Sequence, residues 1–463
     1  MRLLPPPLFA DTLTYNNLAD GSFYSEESWT NSAGRPAQPD ENSDIVITGT
    51  DQTLKYTIDA STGMTVKSLT DSAVVTDGKT YGKNVVIKIG DSTFTIKEDL
   101  TITGNHNYAP TTFESTKHGV GDLVVVGNII VSPSTNAGAA ETLLGNAYRL
   151  NSITVGGDIN AAGNFRMHAT TVKVNGKLNI LSNTTNLFYG QSGWGEKDLT
   201  LSYSFGGISS VNSEGAVSNR TLAIGANNFS FKNSVGTISL TNSDTSKFKG
   251  SLDFLGTCED ITYNLVMDKS AKGTQYFENV EEKGYTFNKV TVNGGTLKYY
   301  AHSMQSDFEV NGGTLSAATV DNEVASLNVN SLAWSGGTLA FDIAEDGSYD
   351  MINVFGALSK ASVEGAEATR NITLGAVDGF DLAAWLDSNG GEQAFSIINY
   401  LSTDLTAADI AAKSLVKGVN IKSIEVNEDG IIVILTTAVP EPATIAAILG
   451  ALALAVAAVR RRK

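Results

Sequence analysis

Four carboxylates crowd one short stretch of the chain: Asp342, Glu345, Asp346 and Asp350, the last three set around Gly347. Oxygen ligands gathered about a turn glycine are what Ca²⁺ binds. The spacing does not fit an EF-hand loop, and Asp-Gly is first of all a turn signal, so a solvated turn is the competing reading. No other cofactor is indicated. The four histidines, His106, His118, His168 and His302, are too scattered along the chain for a zinc spacing to be drawn. Gly78-Lys79-Thr80 ends like a phosphate-binding loop, but Ala73 stands where that loop needs its first glycine. Gly190-Gln191-Ser192-Gly193 fails as a nucleophile elbow because Trp194 takes the place of the closing glycine. Cleavage of a polysaccharide would need carboxylates paired with each other or with a base. Only the fold can bring such partners together. The body holds five arginines, Arg35, Arg149, Arg166, Arg220 and Arg370, with no acidic or basic cluster beside them. Trp194, Tyr299, Tyr300 and Trp334 could stack on sugars, core packing being the plainer reading. No catalytic residue is assigned, and an enzyme is not expected.

The elements that must position these residues are strands. Charged residues make up 17% of the 463, and Thr, Val, Ser, Asn and Gly are abundant, a balance that suits strands and turns. The net charge is −17; the last four residues carry four positive charges, so the remainder carries −21. Such a body repels nucleic-acid phosphates, and no nucleic-acid partner is expected. The single cysteine, Cys258, excludes an internal disulfide. Period-two alternation recurs, as in Asp44-Ile45-Val46-Ile47, Asn84 to Ile89, Thr171 to Val174 and Lys289 to Val292, and it is the strand signature. Helical patterns are confined to Phe380–Asp387 and Ala407–Leu415.

Some strands share a motif. Asn293-Gly294-Gly295-Thr296-Leu297 returns as Asn311-Gly312-Gly313-Thr314-Leu315 and as Ser335-Gly336-Gly337-Thr338-Leu339. A looser version runs through Gly127-Asn128-Ile129, Gly157-Asp158-Ile159 and Gly176-Lys177-Leu178. Strand, glycine corner and strand, recurring at such short offsets, read as coils of a solenoid, with Thr and Asn forming ladders along the stack. A body of such coils would hold roughly 20 of them over about 90 Å. The alternative is a set of β-sandwiches.

The C-terminus is the most explicit segment. Pro440-Glu441-Pro442 precedes an uncharged run, Ala443 to Val459, and then Arg460-Arg461-Arg462-Lys463. The run is long enough, at about 25 Å, for a single transmembrane α-helix. Its basic flank should stay cytoplasmic, which places the body across the membrane. This series resembles the PEP-CTERM sorting signal. The resemblance covers only the segment from residue 438 onward and implies an exosortase as partner, removal of the tail, and delivery to the envelope of a Gram-negative-type bacterium. It also implies association with extracellular polysaccharide. Met1–Ala10 has three prolines and too short an apolar core for a signal peptide. It is either the remnant of a signal that begins upstream or an unstructured stub, and the tail favours the former.

Residues 289–345 also resemble the strand repeats of autotransporter passengers, which implies a right-handed parallel β-helix. The expected plan is therefore all-β: residues 1–10 a signal remnant, 11–437 a solenoid, and 438–463 the sorting tail with its membrane helix at 443–459. Within the solenoid, 11–50 would cap one end and a hairpin at 421–437 the other. The functional expectation is an exported structural or adhesive surface protein. A carbohydrate-active enzyme and a calcium- or glycan-binding module are the alternatives.

Overall fold

Each short strand buries alternate residues, and the next turn of chain buries its own at the same register. Phe94 and Ile96 are followed in this way by Leu123 and Val125, Ile153 and Val155, Val172 and Val174, then Tyr203 and Phe205. The column continues through Ile238, Leu265, Val290, Phe308 and Leu332, all of them buried. One residue type after another can fill such a column, because what is repeated is the inward direction of the side chain.

The computed structural model describes residues 11–48, 56–72, 85–103, 111–133, 141–145, 148–182, 184–188, 196–212, 214–225, 231–241, 244–255, 261–268, 273–280, 287–301, 306–361, 369–428 and 430–437. They are mostly β, in long parallel sheets consistent with a β-helix or solenoid. Among the described strands only three ladders are antiparallel, and these lie near the two chain ends. That pairing excludes β-sandwiches, whose sheets are antiparallel.

The stack has three faces over its first half. The first face carries the column above. The second runs from Thr12–Tyr15 through Asp44–Ile47, Ser68–Asp71, Leu100–Ile102, Ile129–Val131 and Ile159–Ala161 to residues 178–180 and 207–209. The third is a 15-stranded parallel sheet running from Asp20–Ser22 to Ile410–Ser414 in strict sequence order. After residue 209 the second face stops, and the chain passes from Ser234–Leu240 to Ser246–Leu255 without it. A new side opens at another corner with Ser326–Val329, which pairs with Met351–Ser359.

Coil length therefore varies. Thr296 pairs with Thr314, whereas Asn371 pairs with Ala411 across more than twice as much chain. Among the described residues the third face counts 15 rungs, about 67 Å at ~4.8 Å per rung. This corrects the larger number of coils expected from the repeats. The short period belongs to the tightest rungs, and the extra side with its excursions lengthens the others. The shared motifs do stack in register: Thr296 on Thr314 on Thr338, and Ile129 on Ile159 on Leu178.

The looser motif has a side-chain explanation. Asp99 Oδ1 accepts from the Asn128 backbone N–H at 2.7 Å, Asn128 Oδ1 from Asp158 at 2.8 Å, and Asp158 Oδ1 from Lys177 at 2.7 Å. A Cβ on Gly127, Gly157 or Gly176 would fall 2.4, 2.3 or 2.1 Å from those same three oxygens. Each glycine leaves room for the side chain of the rung below. Asparagine ladders run elsewhere, with Asn353 donating to Asn328 and Asn399 to Asn353, both at 2.9 Å.

At the N-terminal end Thr12–Tyr15 also pairs antiparallel with Trp29–Asn31. Trp29 is buried against Tyr15 and Phe23 and donates from its indole to Ser22 O at 2.8 Å. At the other end Glu392–Thr403 takes Gly430–Thr437 antiparallel, and that strand takes Val419–Val426. Leu382–Ser388 forms a helix, capped by Asp381 and packed through Leu382 and Leu386. The second expected helix is not formed. Ala407–Asp409 is one 3-10 turn, and Ile410–Ser414 continues as a strand because Ile410 finds a waiting partner in Arg370. Sheet pairing overrides the helical preference of the alanines here.

The end of the second face needs its own closure. Gln275, fully buried, accepts from the Ile208 backbone N–H at 3.0 Å and donates to Ile208 O at 2.8 Å. Its side-chain amide stands in for the missing strand. Gln275→Leu is expected to orphan both backbone groups, costing about 2–5 kcal/mol, and to speed amide exchange selectively at residues 200–209. Hydrogen-exchange mass spectrometry reads this; unchanged protection there would refute the role.

Candidate functional site

Among the described residues, two places on the outside of the stack combine polar side chains from several rungs. The first is the outer surface of the third face. Lys247, Tyr276 and Lys298 occupy one register position on successive rungs. The two ammonium groups lie 5.1 and 5.3 Å from the Tyr276 ring centroid, a cation–π arrangement on both sides. In the next column Lys249 meets Glu278 at 3.1 Å, with Asp321 at 3.7 Å. Burial lowers the Lys249 pKa, but its bond to Glu278 and the two acidic charges outweigh that and leave it above the ordinary range. Glu278 Oε2 also accepts from the Val320 N–H at 2.7 Å, and Lys298 bonds Asn322. The excursion from Ala318 to Val324, closed by a bridge between those two residues, is thus strapped onto the sheet.

The four carboxylates proposed for Ca²⁺ separate. Ile343 and Tyr349 close a second excursion; Glu345 and Asp346 stand exposed at its tip, and Asp350 is buried at its base. Asp346 caps its own turn through Ser348, which lowers its pKa. Asp350 takes the N–H of Ala325 on one oxygen at 2.8 Å and that of Asp342 on the other at 2.9 Å. Both oxygens serve the backbone, and among the described residues no three His, Cys, Asp or Glu side chains are placed to hold a metal ion. Asp342 is half-buried, and burial raises its pKa. Burial, with the neighbouring Asp342 charge, pushes Asp350 up to about 7 against the pull of its two N–H donors and Lys298. By register Glu278 and Asp342 lie three rungs apart. That is about 14 Å of backbone along the stack.

The second place is a ledge where the second face stops. A cavity of about 640 Å³ opens there. Its floor is one column on three rungs, Asn160, Asn179 and Ser209, with Asn179 donating to Asn160 Oδ1 at 2.8 Å. Lys177, at the top of the Asp99–Asn128–Asp158 ladder, reaches across to donate to Thr245 O at 3.2 Å. Lys247 and the excursion closed by Val211 and Val217 form the far wall.

Other residues singled out from sequence fall elsewhere. Trp334 and Tyr299 are buried in the core, and Tyr300 is half-buried. Arg149 and Arg370 are buried too, Arg370 donating to Trp334 O at 2.6 Å. His118 and His168, well separated in the chain, come within 6.0 Å of each other, ring centre to ring centre. His118 accepts the Arg149 N–H at 3.0 Å. His106, His302, Cys258, Gly78–Thr80, Gly190–Trp194, Met1–Ala10, and the sorting tail with Pro440, Glu441, Pro442 and Arg460 to Lys463 all lie outside the described residues.

The raised Asp350 pKa has a definite sign. The folded chain holds this proton between about pH 4 and pH 7 while the unfolded chain has lost it. The group's contribution to stability is therefore whole at acid pH, falls as pH rises through that window by about 1.4 kcal/mol per unit, and is flat above it. Asp350→Asn should remove this slope from the melting temperature measured between pH 4 and pH 8; a variant that keeps the wild-type slope would assign the proton elsewhere.

The chain matches no family model, no curated protein and no solved structure.

Proposed function

We propose that this chain is an exported envelope protein, an elongated rod sorted to the cell surface by its C-terminal tail. The observation that carries the reading is the ordered series Pro440-Glu441-Pro442, the uncharged run from Ala443 to Val459, and Arg460 to Lys463. An uncharged run of that length with a basic flank suits a single membrane helix with its arginines inside. Among the described residues no helix is long and apolar enough to cross a membrane. An exosortase would recognise the proline-flanked glutamate and release the body.

The role is structural or adhesive, in contact with extracellular polysaccharide. Support comes from a body whose polar side chains are engaged in ladders along the stack, as in Asn328–Asn353–Asn399, and whose acidic charge keeps it soluble. The winding is right-handed, as parallel crossovers are in nearly all sheets.

The test is expression of the full chain in a bacterium that carries the sorting enzyme, followed by fractionation and intact-mass measurement. The expected product is an envelope-associated body shortened by its tail. Replacing Pro440, Glu441 and Pro442 with alanine should leave the full mass in the inner membrane. Recovery of uncut, soluble chain from the cytoplasm would overturn the reading.

A further inference from the structure

We propose that the ledge at the end of the second face is a binding groove for an anionic polysaccharide, a segment rich in uronic acid. The inference deepens the envelope reading and rests on it only for where such a polymer would be met. The ledge exists because the second face ends at residue 209 and Gln275, not another strand, closes its backbone. The shelf is therefore built into the fold, with its floor pinned at both faces of the last rung.

The chemistry of the floor fits a polyhydroxylated ligand. Asn160 and Asn179 stand on successive rungs, about 4.8 Å apart and close to the length of one sugar residue, while Ser209 ends the column, buried, with its Oγ accepting the Val211 N–H. The Asn179–Asn160 bond uses one donor and one acceptor. The Asn160 amide protons and the Asn179 carbonyl remain to meet a ligand, and an amide that offers both signs suits adjacent hydroxyls. Leu181 and Val211 add apolar surface for the C–H faces of a sugar. Lys177 and Lys247 set the charge: both line the groove, the Lys177 ammonium spanning it to Thr245 O and the Lys247 ammonium lying at its border over the Tyr276 ring, in a chain of net charge −17. Asp158, the carboxylate on the lining, already has an oxygen committed to the Lys177 N–H. A nucleic acid would demand a longer stripe of cations with aromatic platforms.

The acidic body makes the test sharp, since general attraction to a polyanion is absent. The full chain in a mild detergent is titrated with hexagalacturonate, maltohexaose and an oligo-dT of matched charge, with binding read by calorimetry. Hexagalacturonate should bind with the other two at least tenfold weaker. Lys177→Ala and Lys247→Ala should each weaken it about five- to tenfold, and Lys413→Ala, on the third face away from the ledge, should leave it unchanged. Because Lys177 also holds Thr245, Lys177→Arg is included and should retain most of the binding. No binding by wild type, equal binding of maltohexaose or oligo-dT, or unaltered affinity in both alanine variants overturns the groove. Export with correct tail removal but no uronate binding would sink this inference alone; uronate binding by a chain that stays uncut in the cytoplasm would sink the envelope reading alone.

Discussion

A parallel strand can satisfy its backbone only by lying against another, and in a stack every rung hands its unpaired N–H and C=O groups to the next. The shortfall is never removed inside the stack. It moves to whichever rung comes last, on each face separately. Three kinds of closure follow from that one constraint. Reversed polarity closes the ends: Trp29–Asn31 runs against Thr12–Tyr15, and Gly430–Thr437 against Glu392–Thr403. The outermost strand, Val419–Val426, carries Lys422 and Glu425 along its edge, where charge discourages pairing with another molecule. The third closure is a side chain. Gln275 sets one N–H and its C=O side by side in the geometry of a peptide group, which is what Ile208 lacks, and its second N–H goes to Tyr276 O.

The same stacking decides what the side chains may be. Inward positions need only be apolar and of a size that suits the rung, which is why Phe94, Leu123, Ile153, Val172 and Tyr203 share a column. Corners are stricter. Gly295, Gly313 and Gly337 all have positive φ, and a Cβ on Gly313 would lie 2.6 Å from Gly295 O. Backbone touches backbone there, and nothing larger than hydrogen fits. Strictness of this kind leaves a mark in the sequence, and freedom does not.

That difference explains what can be read in advance. The Gly-Gly-Thr-Leu units and the Gly-Asn/Asp-Ile units are visible because a corner forces them, and both stack at the offsets their repetition implies. The number of rungs is not visible, since the loose columns repeat direction and not identity. Coil length more than doubles between the Thr296–Thr314 and the Asn371–Ala411 pairings. Contacts across rungs are hidden for the same reason. His118 and His168 are distant in the chain and neighbours in space, and Gln275 reaches back two coils and more to Ile208. The acidic stretch misleads through proximity in sequence: the hairpin that Asp342 and Asp350 close at its base carries Glu345 and Asp346 away to its tip. Trp334, a candidate for stacking on sugars, is turned inward by the alternation of its own strand.

A stack with a constant cross-section has flat sides, and flat sides offer a ligand little enclosure. Concavity arises where the cross-section changes. Here it changes where the second face stops at residue 209 and again where a new side opens at Ser326. Excursions stand beside both places: the one closed by Val211 and Val217 walls the ledge, and the one closed by Ala318 and Val324 lies strapped by Glu278 just before the new side begins. The lysines that these regions share, Lys247 and Lys249, both lie on the strand that bridges them, Ser246–Leu255. Alternation alone would point Lys247 and Lys249 to the same outer surface, and pairing distinguishes them. Lys249 is committed to Glu278 and Asp321, whereas Lys247 lies over the Tyr276 ring and borders the cavity. Concave surface is thus placed by topology at the breaks in the regularity of the stack, and the ledge is the break lined by the amides of Asn160 and Asn179 and by Lys177 and Lys247.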